Sequence, residues 1–384
     1  MAINTRSPYF LSIGGATTAS ATLDLTIWSG AISPVPTTKE YELKKSVISG
    51  GSTVVNFEIS ELVRDYLEVT FNGTYSGAAV YVYYVLKAFD LDNVQVGSTQ
   101  SNTLLGFDSY SYFEEPLFDI SDSSLMMSNR KMFVLAGNPA LIPVNSALTP
   151  SVEFYSKGQL LSTKSISSTT NSNTQIQYVS FDGLYPTLTP YKDRVQDQAE
   201  GGIYESNACI ISFFDSLQDN SIVDSVKVTD STGVYIIDVE TIEECRYEPK
   251  KLTFINKYGA LQDVIFFKKF VKKMDVKKES YKANILTSSN TYSTSSHVKR
   301  DFNIIGSEKV TISSGWLTEE YNEVFKQMML SEKVWITNVK DGVSQVLPLN
   351  VITSDLSQKT SLNDKLIEYT IEFQNSYDTI NNIR

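Results

Sequence analysis

The chain has 384 residues, 41% of them hydrophobic and 20% charged, with a net charge of −11. That length exceeds what one ordinary core serves and points to two or three domains, and the balance of apolar and charged residues excludes wholesale disorder. The negative charge opposes binding to a polyanion wherever basic residues do not cluster.

The 22 Tyr and 19 Phe, set among many Thr, Ser and Val, favour strands. Cys209 and Cys245 are too few for a disulfide framework and read as small buried hydrophobes. The segment Met1–Pro8 lacks the basic and apolar regions of a signal peptide. The apolar run Ala78–Leu86 is far short of a bilayer span. The expectation is a chain made in a cytoplasm, with no membrane partner.

Leu23, Leu25 and Ile27 alternate with Thr22, Asp24 and Thr26, which is the period of a half-buried strand. Pro34 and Pro36 break the next segment, and Gly50-Gly51 marks a turn before a strand over Val54–Ile59. Ser60 is expected to cap a short helix over Glu61–Leu67, with Glu61 at its positive end. In the next strand Val80, Val82, Tyr84 and Leu86 face one way and Tyr81, Tyr83 and Val85 the other. Apolar residues on both faces predict a strand in the middle of a sandwich. Residues 1–118 therefore read as an immunoglobulin-like or fibronectin-like β-sandwich.

The segment Phe107–Pro116 is the densest aromatic patch, and Tyr110, Tyr112 and Phe113 are its candidate contact residues. Three readings fit it: a domain seam, a protein–protein contact, or a sugar-stacking platform. Residues 119–245 read as a second β domain. Its expected hairpins turn at Lys157-Gly158 and at Asp230–Gly233, Gly137–Pro139 is a turn, and Gln175–Phe181 and Ile203–Phe214 are further strands. Ser165–Thr174, almost purely Ser, Thr and Asn, predicts an exposed loop.

Residues 246–384 form the third expected domain. It opens with a hairpin over Leu252–Phe267 that turns at Lys257-Tyr258-Gly259, Gly259 being free to take a positive φ. A lysine series follows at Lys268, Lys269, Lys272, Lys273, Lys277, Lys278 and Lys282, with Phe270, Val271, Met274 and Val276 between. Such lysines can guard a strand edge, meet an acidic neighbouring subunit, or touch nucleic acid; other marks of a nucleic-acid module are missing. Leu317, Tyr321, Val324, Phe325 and Met328 make the apolar stripe of a helix over residues 318–330, expected to lie across a sheet. Strands are expected at Val334–Thr337, at Val346–Ile352 and at Ile367–Phe373. Asp341-Gly342 and the polar stretch Asp355–Asn363 lie between, and Pro348 places its strand at an edge or bulge. The polar tail Asn375–Arg384, with Tyr377, is expected against another chain.

The candidates for chemistry are sparse. His297 stands alone in a polar loop, with no nucleophile or acid at a telling spacing. No CxxC or HxxxH pair suggests zinc, and no phosphate loop or EF-hand is present. Adjacent acids such as Glu114-Glu115, Glu243-Glu244 and Glu319-Glu320 would point to opposite faces of a strand. No catalytic residue, cofactor or metal is expected.

Several stretches carry a resemblance: Cys245–Pro249, Phe254–Ala260, Leu330–Ile336, Leu347–Leu349 and Tyr369–Phe373, with Arg6–Tyr9 and Phe57–Tyr66 near the N-terminus. Together they resemble tail or baseplate proteins of tailed bacteriophages of marine and Bacteroidetes-type hosts. The resemblance brackets the chain and carries no active-site residue. It implies a virion building block of the distal-tail, hub or tail-adaptor kind, assembled in the host cytoplasm and bound to copies of itself in a ring and to other tail proteins. The expected whole is mainly β: two or three β-sandwich-like domains and one amphipathic helix on the C-terminal sheet. The contact residues expected are Tyr110, Tyr112, Phe113, Lys268–Lys278, Tyr377 and Arg384. The rival expectation is a carbohydrate-binding adhesin or receptor-binding module that uses Phe107–Tyr112.

Overall fold

The computed structural model describes residues 2–47, 53–115, 118–135, 139–181, 210–212, 223–231, 233–242, 246–340, 343–355 and 367–380. The protein is mainly β and multi-domain, as its composition predicts, with several sheets and, among the described residues, one helix of seven or more residues. It divides into two compact units. The first comprises Met1–Glu243, Thr253–Ile265 and Glu320–Ser331; the second comprises Glu244–Leu252, Phe266–Glu319 and Glu332–Arg384.

The first unit opens with β1 (Ala2–Asn4), β2 (Phe10–Gly14), β3 (Ser20–Trp28), β4 (Tyr41–Ser46), β5 (Val54–Glu58), α1 (Ser60–Arg64), β6 (Ala79–Phe89) and β7 (Gln95–Phe107). A five-stranded sheet runs β1-β7-β6-β3-β4, with β6 at its centre, and β2 and β5 pair separately. The alternation in β3 buries Leu23, Leu25 and Ile27 against Leu11, Ile13, Val55 and Phe57 of the small ribbon, forming one core. Val80, Val82 and Leu86 of β6 join that core, while Tyr83 and Val85 on the opposite face are only half-buried.

Ser60 is the first residue of α1 and not its cap. Glu58 sits two residues earlier, and its Oε1 accepts from the Ser60 N–H (2.9 Å) and hydroxyl, so the longer carboxylate supplies the missing acceptor.

A second core follows in the same unit. Its strands are β8 (Lys131–Leu135), β9 (Ala140–Asn145), β10 (Ser151–Ser156), β11 (Gln159–Ser165), β12 (Ile176–Phe181), β13 (Ile210–Ser212), β14 (Ser225–Thr229) and β15 (Val234–Ile242). Sheets of order β11-β10-β14-β15-β8 and β13-β12-β9 enclose Val152, Phe154, Ile142, Val179 and Phe181. Both predicted turns are present. Lys157 and Gly158 take φ of 49° and 76°, and Asp230 exchanges hydrogen bonds with Gly233. Ser165–Thr174 is not wholly exposed, because Ser172 is fully buried where its N–H donates to the Gly30 carbonyl (2.8 Å).

The unit is completed by the tip of the hairpin β16 (Lys250–Ile255) and β17 (Leu261–Phe266). Asn256 Nδ2 there donates to the Met126 carbonyl (2.7 Å), and Gln262 Nε2 donates to Asn129 (2.9 Å). Tyr75 and Thr253 both donate to the Asp263 carboxylate. These long-range bonds, together with one from the Phe133 N–H to the Tyr321 hydroxyl (3.2 Å), attach two C-terminal pieces to the first unit, which a boundary at 245/246 does not anticipate. Gly259 has φ 74°, and an added Cβ would stand 3.0 Å from the Asp108 carbonyl carbon, so conformation and space both demand glycine.

In the second unit lie β18 (Phe270–Lys282), β19 (Lys299–Leu317), β20 (Val334–Lys340), β21 (Val343–Val351) and β22 (Ile367–Asn375). They follow the order β20-β21-β22-β19-β18, which leaves β18 at an edge. Tyr369, Ile371 and Phe373 alternate inward with Val310, Ile312 and Leu349. β21 is interior, contrary to the edge position that Pro348 suggested. Its ladder to β22 begins at Leu349, and the Pro348 carbonyl accepts from the Ser376 N–H (3.1 Å) past the ladder's end. A strand residue points its N–H and C=O to the same side, so proline's missing donor faces Ser376, one residue past β22, and only a terminal bond is forfeited.

Two substitutions check the cores. Leu23→Ala should lower unfolding free energy by about 2–5 kcal/mol in a denaturant titration. Tyr75→Phe, which deprives Asp263 of a buried donor, should cost about 1–3 kcal/mol.

Candidate functional site

The aromatic segment is drawn inward. Phe107 ends β7 inside the fold, and Tyr110 is buried, its N–H donating to the Lys257 carbonyl (3.1 Å). The Arg6 guanidinium lies 4.9 Å from the Tyr110 ring centroid and donates to the Leu330 carbonyl (2.8 Å). That carbonyl belongs to the last turn of α2 (Tyr321–Leu330), the end of a helix that favours a cation. The helix begins three residues after the expected Thr318, and its stripe of Tyr321, Val324, Phe325 and Met328 is buried as predicted.

Two ammonium groups approach the Tyr112 ring. Lys326 Nζ is 3.5 Å and Lys257 Nζ 4.7 Å from its ring centroid, and its hydroxyl donates to Glu323 Oε1 (2.7 Å). Lys257 is only 5% exposed, and its ammonium also faces Phe118 (4.2 Å) and pairs with Glu115. One helical turn links the remainder: Gln327 accepts from the Lys257 N–H (3.1 Å) and donates to Glu323 (2.8 Å) and Ser128 (2.6 Å).

A buried lysine is tolerated here because two ring faces and a carboxylate replace its water. Burial pushes the Tyr110 phenol up to about 12. Burial, and then the hydrogen bond to Glu323, raise Tyr112 further. Of the three predicted contact aromatics, Phe113 is fully exposed, Tyr112 half-buried and Tyr110 buried. Tyr110 and Tyr112 both make contacts within the chain, and of the rings expected to form a sugar platform Phe107 and Tyr110 are buried and Tyr112 half-buried.

The lysine series has the opposite character. β18 and β19 form one long ribbon from Phe270↔Ile312 to Lys282↔Lys299, with a register shift between Lys277 and Glu279, whereas β22 accompanies β19 only from Lys309 onward. The outer half therefore consists of two strands alone. Lys269, Lys272, Lys273, Lys277 and Lys278 are exposed and Lys268 half-buried. In-chain partners take up some of them: Lys278 pairs with Asp301 (2.6 Å), Lys273 with Asp275 (3.6 Å), and Lys272 lies over the Phe270 ring. Between them Met274, Val276, Tyr281, Phe302 and Ile304 are each about half exposed, with Tyr281 and Phe302 meeting edge to face at 5.7 Å.

Of the tail, Tyr377 is 41% exposed, and the Thr379 N–H donates to the Gly306 carbonyl (2.8 Å), so this stretch lies along β19 of its own chain. Arg384, Cys209 and Cys245 fall outside the described residues. His297 is exposed in the ribbon's loop. Among the described residues, no three His, Cys, Asp or Glu side chains are grouped to hold a metal ion, and no helix is long and apolar enough to cross a membrane. A surface groove of about 480 Å³ in the first unit is lined by Tyr66, Glu68, Ser76 and Asn173 among others.

No protein-family model and no curated protein matches the sequence.

Lys257→Met keeps the stem and deletes the charge, and should cost about 2 kcal/mol by denaturant titration. Raising the pH above about 10 should destabilise the fold. Tyrosines of the unfolded chain then lose protons that Tyr110 and Tyr112 still hold when folded, so stability present at neutral pH is lost as alkali is added. Tyr112→Phe should reduce that loss in melts recorded between pH 9 and 12.

Proposed function

We propose that this protein is a structural component of a bacteriophage tail, a ring or adaptor subunit that works by packing against copies of itself and other tail proteins. On this reading it breaks no bonds, uses no cofactor, and binds neither nucleic acid nor membrane. The observation that carries the reading is the β18–β19 ribbon, which spends chain length on half-exposed apolar side chains that its own fold leaves uncovered. Surface of that kind favours association, and the resemblance of the C-terminal stretches to tail and baseplate proteins supplies the setting.

A second reading, carbohydrate binding, is favoured by the groove at Tyr66, where a half-exposed ring stands beside carboxylate, hydroxyl and amide groups. Mass measurement of the purified chain in solution, paired with a glycan array, separates the two. The structural reading expects a particle of several copies and a blank array. A monomer that binds sugars, and stops doing so when Tyr66 becomes alanine, would overturn it.

A further inference from the structure

We infer that copies of this chain join head to tail, the ribbon of one against acidic surface of the next, and not as a two-fold pair of ribbons. The inference rests on the self-association proposed above and specifies its geometry.

Main-chain direction comes first. Lys269 accepts from the Ser313 N–H (3.1 Å), and the Ala283 N–H donates to Val298 (2.7 Å), so the odd-numbered residues at both ends of β18 face β19. Alternation then turns the N–H and C=O of Phe270, Lys272, Met274 and Val276 toward the open edge, where no described strand pairs. The edge belongs to a strand of 13 residues with no proline or glycine, long enough to accept a partner strand.

Charge then selects the partner. Residues 268–309 hold ten Lys and Arg against four Asp and Glu, a net +6 in a chain of net −11, which leaves −17 for the remainder. A two-fold contact would set β18 beside β18 of its partner, with lysines facing lysines, and like charges directly opposed across strands are destabilising. The rest of the same chain has the complementary sign. A surface that binds a different surface of an identical copy forms a heterologous contact, which repeats until it closes into a ring or extends as a filament. Met274 and Val276 on the open edge provide the apolar area that charge steering alone does not.

The test compares the full chain with a variant carrying Lys272→Glu, Lys273→Glu, Lys277→Glu and Lys278→Glu. All four positions are exposed, and an unchanged melting curve verifies the fold. Sedimentation should show the unmodified chain as three or more copies, dissociating as salt is raised, and the variant as one. Carbodiimide cross-linking should join ribbon lysines to Asp or Glu outside residues 268–309. A two-copy particle, or ribbon-to-ribbon links from an amine-reactive reagent, would overturn the head-to-tail geometry. An assembly indifferent to the charge reversal would remove the ribbon from the contact while sparing self-association. A monomer at every concentration would end both proposals.

Discussion

The first unit depends on one buried ammonium group. Lys257 occupies a hairpin turn, where a lysine ordinarily points to water, yet Tyr112, Phe118 and Glu115 enclose it. Holding it there requires that the aromatic segment, the hairpin tip and the helix all be in place, since Gln327 and Glu323 bind both the turn's main chain and the Tyr112 hydroxyl. Taking a charge out of water is costly, and the cost is offset only when every partner is present. The arrangement therefore gives cooperativity to segments far apart in the chain and explains why pieces 253–265 and 320–331 belong with residues 1–243.

Much of the local structure was legible because it depends on short periods. The alternation in Leu23–Ile27 and in Ile367–Phe373, the helical stripe from Tyr321 to Met328, and the turns at Lys157-Gly158 and Asp230–Gly233 each draw on neighbours a few residues away. The misreadings share a cause. Ser60 was outbid by a carboxylate two residues earlier, and Pro348 was excused by where a ladder happens to end. The Tyr112–Glu323 bond spans 211 positions. Nothing in Lys257-Tyr258-Gly259 announces a buried cation, since its cage is assembled from residues 112, 115 and 118 and braced by the helix.

The two candidate surfaces differ in exposure. Phe107 and Tyr110 of the aromatic segment are buried, in keeping with a seam, whereas the lysine-rich stretch carries more uncovered apolar side chains. Lysine stems cover apolar neighbours while their charges stay wet. A ribbon built this way remains dispersed alone and still has area to bury once a partner of opposite sign neutralises it.

Strand β19 runs 19 residues, with a register shift in each of its two ladders, so the ribbon and the sheet share one backbone. Tension applied at the ribbon's tip would travel along that strand and reach its ladder with β22 in shear. Antiparallel ladder bonds lie across the strands, so those from Lys309 to Ser313, before the ladder's register shift, would resist together and not open singly like a zipper. The strand geometry thus resists a pull along its length better than one that peels it sideways.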